Sequence, residues 1–431
     1  MRIFSPVKRV LLISAFFTAF LFWGSGCTPH DHTQEETSEQ LLEVLDIWEF
    51  TTGFAFDIVL NLIGDFGGAL SAEVKEKITT VFDKKFSEII YGVALSYNTT
   101  DPFGNPVVAT GVFFYPKNLK VKGVLEIPPI ANMHKDDVAS LYIKDKKLAL
   151  ESMPCAMGYI VLNPDFIGVR YTDHWPRPYL LAENTGLAAL DFRKAVSEYL
   201  WQIERYRLPK RSTLVGYSLG GSTSLAIAAY YEQHNTGIKV DQIYTGGGVY
   251  DALEAFQAFR RTERSEYQAI PQVVMAMNHY YNLNLDFTKI FVNGMENPEM
   301  NPNPEEGGDG YAWWFSGQQD MNAIHWRWGS DLRTYMHPDF FNEELTGEFL
   351  KLKEPLEQNS IVYNGWVPGP FTEVYLTHSK EDNFIPVESA DLLYREYKKR
   401  GCAIHYNRTT GTHGDAALEF ILSGLLYLMI R

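Results

Sequence analysis

Cysteine is scarce: Cys27, Cys155 and Cys402 are the three in 431 residues. No run of Lys or Arg, no zinc-type Cys/His spacing and no fixed-period repeat appears, so zinc modules and repeat architectures have no support. Positive charge is short: 38 Lys and Arg against 53 Asp and Glu give a formal charge of −15. That balance disfavours nucleic acid, or an anionic membrane held by charge, as a partner. What the chain has in quantity is apolar bulk, 45% of its residues, enough to build a sizeable core. At this length one large domain with insertions, or two domains, is expected.

The chain begins "MRIFSPVKRVLLISAFFTAFLFWGSGC": basic residues, an apolar run from Val10 to Trp23, then small residues ending at Cys27. The fourteen residues of that run are too few to span a bilayer and suit the apolar region of a signal peptide, so residues 1–27 read as one. The small residues before Cys27 resemble the lipobox of bacterial lipoproteins, although Gly24 stands where that box usually has Leu. The resemblance implies export, a lipid on Cys27 and membrane contact through that anchor; an ordinary cleaved signal would instead give a periplasmic or secreted protein. Residues 28–38 are a polar, acidic tether. His30 and His32 read as part of that solvated tail rather than as metal ligands.

Residues 39–90 read as a helical N-terminal extension, with apolar positions at Leu41, Leu42, Leu45 and Trp48 and again at Ile78, Phe82 and Phe86. From Tyr91 the pattern turns to strands: "YGVALSYNTT", the turn "DPFGNP" and "VVATGVFFYP" form a hairpin signature. Strand and helix then alternate. Strand candidates are "VKGVLEI", "GYIVLNPDF", "RSTLVGY", "KVDQIYTGGG", "FTEVYLTHS" and "CAIHYNRTT". Helices are expected near Val138–Met157, from Asn184 (a possible N-cap) to Tyr206, after Ser218, in "VESADLLYREYKKRG" and in "DAALEFILSGLLYLMI". This alternation predicts an α/β fold, a mostly parallel sheet with helices on both faces and the antiparallel hairpin at one edge. The domain would comprise residues 91–250 and 370–431, with residues 251–369 inserted as a helical cap. Cys155 and Cys402 then fall on distant elements, which favours two separate, buried, inert thiols.

Gly216-Tyr217-Ser218-Leu219-Gly220 matches G-x-S-x-G, a pattern that chance places in about one chain in seven of this length. Its setting is more informative than the pattern. An apolar strand candidate precedes it and a small-residue helix candidate follows, as a nucleophile elbow requires. A serine on so tight a turn needs glycine neighbours, and the turn lifts its Oγ above the sheet at a helix N-terminus.

A serine hydroxyl becomes a useful nucleophile only when a base takes its proton and a carboxylate orients that base. Asp382 follows the strand "EVYLTHS", and His413 lies in the loop between the last strand and last helix, giving the order Ser, Asp, His. All three fall at carboxyl ends of strands, where open α/β sheets keep their sites. Glu373 and Glu381 are the alternative acids, although Glu373 begins its strand and Glu381 falls one residue short. His378 and His405 lie within strands and read as satisfied core or edge histidines. An oxyanion hole needs two backbone N–H groups: Leu219 is the first, and in "PPIANMHKDD" the earliest possible second donor is Ile130, with Ala131 or Asn132 next, because Pro128 and Pro129 have no N–H. His134 reads as a loop histidine bonded to a backbone carbonyl.

The order Ser218, Asp382, His413, carried by "GYSLGG", "EDNFIP" and "THGD", resembles the α/β-hydrolase superfamily over roughly residues 91–431. The segment "VLNPDFIGVRYTDHWPRPYLLAENTGLAALDFRKAV" is similar to the one preceding the nucleophile in secretory lipases and related esterases. Many members carry His-Gly in the oxyanion loop, where this chain has Pro128-Pro129. The resemblance implies an eight-stranded sheet, hydrolysis of a carboxylic ester or lipid through an acyl-enzyme on Ser218, and no metal or organic cofactor.

Asp165 and Asp191, within the resembling segment, read as structural. Trp313, Trp314, Trp326 and Trp328 of the insertion would line a substrate pocket or form the cap's own core. Two other functions compete. A serine peptidase of the prolyl oligopeptidase type shares the triad order, but the residues before 91 cannot form that family's propeller. A surface-anchored binding lipoprotein with an inactive hydrolase fold would lack a triad member, and all three are present.

Overall fold

In the computed structural model of the chain, residues 39–55, 57, 88–132, 134–145, 148–298, 310–362 and 364–430 are described. The expected signal peptide, Cys27, the acidic tether and most of the expected helical extension lie outside these residues.

Strands β1 (Leu41–Thr51), β2 (Ile89–Thr100), β3 (Pro106–Pro116), β4 (Gly123–Glu126), β5 (Tyr159–Phe166), β6 (Arg211–Tyr217), β7 (Lys239–Gly246), β8 (Glu373–Ser379) and β9 (Ile404–Thr409) form one nine-stranded sheet. Its order is β1-β2-β3-β5-β4-β6-β7-β8-β9. From β5 to β9 all neighbours are parallel, and β1, β2, β3 and β5 pair antiparallel. The hairpin expected from "DPFGNP" is present, with Thr100 opposite Pro106. Asp101 closes it by accepting from the amides of Phe103 and Asn105 at 2.9 and 2.8 Å.

Strand β1 corrects two expectations: Leu41–Thr51 is an edge strand, not the start of a helical extension, and the sheet has nine strands, not eight. Register shifts between Leu41 and Glu43 and between Val44 and Asp46 explain the misreading. They place Leu41, Val44 and Ile47 against one core and Leu45 and Trp48 against the other. Each face therefore carries a three-residue spacing, which in sequence imitates a helix.

Helices α1 (Ala182–Glu204), α2 (Leu219–Gln233) and, on the other side of the insertion, Glu388–Lys399 pack on one face of the sheet. The opposite face takes the segment Leu148–Met157 and the last helix, His413–Ile430. With both faces covered, β2 is buried along nearly its whole length, Val93, Leu95 and Tyr97 toward α1 and Ile90 and Ala94 toward the other layer. The long helix expected from Asn184 starts two residues earlier. Its first amide, of Ala182, donates to the Asn359 side chain at 3.0 Å, while Asn184 instead donates to the carbonyl of Thr100 at 2.8 Å. The expected helix at Val138–Met157 is turns followed by Leu148–Ser152 and a 3-10 segment.

Between β7 and β8 the described residues form helices joined by turns and loops, including α3 (Ala252–Thr262), α4 (Ala269–Tyr280) and Met321–Trp328. It is tied to the sheet's loops: Tyr280 donates to Pro176 O at 2.7 Å, and the amide of Lys135 donates to Gly317 O at 2.7 Å. Trp313, Trp314 and Trp328 are buried in a core that this block shares with β2, β3 and α1, rather than in a core of its own, and Trp326 is 85% exposed.

One buried network holds the elements beneath the candidate site. Glu126, at the end of β4, accepts from Arg193 of α1 at 2.6 Å, Ser212 of β6 at 2.5 Å and Tyr231 of α2 at 2.7 Å. A buried ion pair contributes less than its Coulomb attraction because both ions lose water, but with the remaining donors satisfied it fixes where β4 ends. Asp191 and Asp165 tie neighbouring elements together: Asp191 accepts from Thr99 at 3.0 Å and pairs with Lys194, and Asp165 accepts from Thr110 at 2.7 Å. Cys155 is buried and Cys402 half-buried, and both thiols are free.

Candidate active site

Ser218 occupies the junction of β6 and α2 with φ 57° and ψ −127°, a conformation L residues rarely adopt. Its amide donates to Gly246 O at 2.8 Å and its carbonyl accepts from Gly221 N at 2.9 Å, so the surroundings enforce the bend. A Cβ at Gly216 would collide with the backbone of Gly220, and one at Gly220 would lie 2.6 Å from Pro128 O. The two glycines let strand, helix and the 128–130 loop meet around the serine.

Asp382 follows β8 in a loop that its own carboxylate organises. Its Oδ1 accepts from the amides of Phe384 and Ile385 at 2.8 and 2.9 Å. Its Oδ2 lies 2.7 Å from His413 Nδ1. Burial would raise the carboxyl's pKa, but hydrogen bonds from His378 and His413 outweigh it and hold the group well below the usual carboxylate range. His413 opens the last helix, where Thr412 and Asp415 bond reciprocally, the Asp415 carboxylate accepting from Thr412 N at 2.8 Å. The amide of His413 donates to Asn383 Oδ1 at 3.0 Å, its carbonyl accepts from Tyr217 OH at 2.7 Å, and its ring stacks on Phe384 at 4.8 Å. With Nδ1 facing a carboxylate, the hydrogen of the neutral ring sits on Nδ1 and leaves Nε2 as an acceptor.

The structure thus brings Asp382 and His413 together. Glu381 instead accepts from Gly411 N at 2.9 Å, and Glu373 begins β8. His405 stacks on Tyr375 at the sheet edge, as expected. His378 is buried, as expected of a core histidine, but its Nε2 lies 3.4 Å from Asp382 Oδ2, a proximity the sequence did not reveal. Tyr217, Asn383 and Phe384 were also missed as contacts of His413, although all three lie inside the quoted motifs.

The amides of Leu219 and Ile130 donate to no carbonyl or side chain among the described residues. The loop bearing Ile130 is held from behind by Tyr179 OH on Asn132 O at 3.3 Å and by Arg177 on His134 O at 3.1 Å. The His134 ring accepts from Asp136 N at 3.2 Å instead of bonding a carbonyl.

A cavity of about 760 Å³ lies beside the elbow, lined by Gly216, Tyr217, residues 128–130 and Phe420 and by the polar side chains of Glu151, Asn163 and Asp165, but by none of Ser218, Asp382 and His413. Most of its wall is apolar, the kind that takes the hydrocarbon part of a ligand. Burial, with Asp165 nearby and against a hydrogen bond from Asn163, pushes Glu151 up to about 7. No group of three or more His, Cys, Asp or Glu side chains placed to hold a metal ion occurs among the described residues.

No family model matches the chain, and no curated protein matches it. Solved structures do. The rice cell wall degrading esterase LipA from Xanthomonas oryzae is similar at 18% identity over 91% of this chain and 97% of that one, with a TM-score of 0.67. A candidate hydrolase from Legionella pneumophila is 17% identical over 90% of this chain and 97% of its own, with a TM-score of 0.68. Lipase A of Candida antarctica matches at 13% identity over 78% of each chain, with a TM-score of 0.55. The fold is that of the α/β-hydrolases.

Proposed function

We propose that this protein is a serine hydrolase that cleaves carboxylic esters through an acyl-enzyme on Ser218. The observation that carries the reading is the 2.7 Å contact of His413 Nδ1 with Asp382 Oδ2, on a fold whose β6–α2 turn holds Ser218 in a strained, part-exposed conformation. In this reading His413 Nε2 takes the Ser218 proton as Oγ attacks the ester carbonyl, and Asp382 keeps the imidazole oriented and stabilises the imidazolium. The amides of Leu219 and Ile130 face the oxyanion. His413 returns the proton to the departing alcohol, and water, activated by the same ring, releases the acid. Every step is proton transfer and acyl transfer, so the chain's own residues suffice. The esterase and lipase descriptions of the structural neighbours support an ester or lipid as the substrate class.

The same reading places the enzyme outside the cytoplasm, tethered by a lipid on Cys27, and it rests there on the N-terminal sequence. Cys27→Ser should leave the membrane fraction; a variant that stays bound to membranes overturns the anchor.

The deciding experiment is hydrolysis of p-nitrophenyl esters from acetate to palmitate by the full chain in detergent, beside Ser218→Ala. Turnover that falls by about three orders of magnitude or more in the variant is expected. Equal rates in both proteins would sink the proposal, and cleavage of prolyl peptides in place of esters would favour the peptidase reading.

A further inference from the structure

Asp382 has a second histidine. His378, on β8 and without solvent exposure, places Nε2 3.4 Å from the same Oδ2 that lies 2.7 Å from His413. The same Nε2 is 3.1 Å from the carbonyl oxygen of Ile385. Both neighbours are acceptors, so the hydrogen of the neutral ring sits on Nε2 and is shared between them. Nδ1, at the other edge, is buried with no partner among the described residues. Four N–H groups therefore surround Asp382: two amides bonded to Oδ1, the His413 imidazole 2.7 Å from Oδ2 and the His378 imidazole 3.4 Å from the same oxygen.

We propose that His378 is a positioning residue of the candidate triad: its Nε2–H pins the Asp382 loop through Ile385 and withdraws part of the Oδ2 charge that would otherwise face His413 alone. This rests on reading Ser218, His413 and Asp382 as a hydrolytic triad. Two consequences follow. The carboxylate is held in line with His413 Nδ1 even where no substrate presses on the ring. Because Nε2–H also holds Ile385 O, the loop that carries Asp382 cannot swing away from β8 without breaking that bond.

The other ionisable groups facing this cluster do not duplicate the role. Tyr217 from β6 and Tyr250 from the segment after β7 carry phenols whose ionisation burial and the Asp382 charge both oppose. Glu381 and Asp415 sit on the exposed rim and are bonded to Gly411 and Thr412. Glu266 from the insertion faces His325 at 3.4 Å, and Glu388 lies 4.0 Å from Arg261. Among the described ionisable side chains, His378 is the one besides His413 that comes within 4 Å of Asp382 Oδ2.

The test compares the full chain with Ser218→Ala, His378→Leu and His378→Gln, whose side-chain amide can replace the lost donor. On a p-nitrophenyl ester, kcat of His378→Leu is expected to fall about tenfold with KM changed less than about twofold, and His378→Gln should restore kcat to within about threefold of the parent. A parental kcat in His378→Leu, or a loss in His378→Gln equal to that in His378→Leu, overturns the inference. If His378→Leu fails to fold, nitrogen NMR of histidine-labelled Ser218→Ala decides, with His378 assigned by its loss in the Gln variant. Hydrogen on Nε2 supports the proposal and hydrogen on Nδ1 overturns it. A parent that cleaves no ester, or a Ser218→Ala that matches it, overturns the triad reading and this inference together, which separates the two failures.

Discussion

Tyr217, the residue before the candidate nucleophile, donates its hydroxyl to the backbone carbonyl of His413 at 2.7 Å, and its ring lies 4.9 Å from the His413 imidazole. The position that would supply the nucleophile is thus fastened directly to the one that would supply the base, across 196 residues of sequence. Burial and the nearby Asp382 charge raise the phenol's pKa far enough to keep it a donor at any working pH. Tyr217→Phe keeps the ring and removes only that bond. It should cost about 1–3 kcal/mol in urea unfolding, the usual loss when a buried acceptor is left unpaired. Ester kcat should fall about threefold to tenfold with KM unchanged. A kcat equal to that of the parent would show that the bond serves stability alone.

Gly220 is a sharper probe of the oxyanion loop. Alanine ordinarily stabilises a helix over glycine by about 0.5–1 kcal/mol. At Gly220 the new methyl would lie 2.6 Å from Pro128 O, so the loop carrying Ile130 has to retreat from the helix N-terminus. Gly220→Ala is therefore expected to fold, to gain no stability and to lose about tenfold or more in kcat. Gly424→Ala in the last helix is its control for stability alone, since Gly424 lines the cavity: a Cβ there meets nothing within 4 Å, and the ordinary helical gain should appear. An active, stabilised Gly220→Ala would show that the Pro128 loop plays no part in turnover.

How much of this was legible beforehand follows from the range of each interaction. The eight strands recognised in sequence are short apolar runs bounded by turn residues, and the elbow is specified by neighbours within two positions of Ser218. Asp382 and His413 were found because strand ends are local signals and chain order restricts the choice. β1 was misread because its bulges turn a period of two into a period of three. His378 and Tyr217 were missed as partners because their contacts depend on how β6, β8 and the last helix are spaced, which no local pattern encodes. The helix start at Ala182 was misplaced for the same reason, since its capping acceptor, Asn359, lies 177 residues away.

Glu151 offers a pH-dependent test of the cavity. Its carboxyl hydrogen-bonds Asn163, keeps some accessible surface on the cavity side, and is pushed from an ordinary 4.5 up to about 7, chiefly by burial. An acid whose folded pKa is raised binds its proton more tightly in the native state. Native stability therefore declines as pH rises from 4.5 to about 7, and the whole penalty remains above that. A shift of that size corresponds to about 3 kcal/mol. Glu151→Gln keeps a neutral polar group beside Asn163 and has no proton to lose. Below pH 4.5 parent and variant should show similar stability, and above about pH 7 the variant should be the more stable by up to about 3 kcal/mol, read from urea unfolding at both extremes. Because every other titrating group is common to the two proteins, their difference reports Glu151 together with its coupling to Asp165. A difference that stays constant across this range would mean that the carboxyl is solvated as an ordinary surface acid, and that the cavity is wetter at Glu151 than its enclosed position implies.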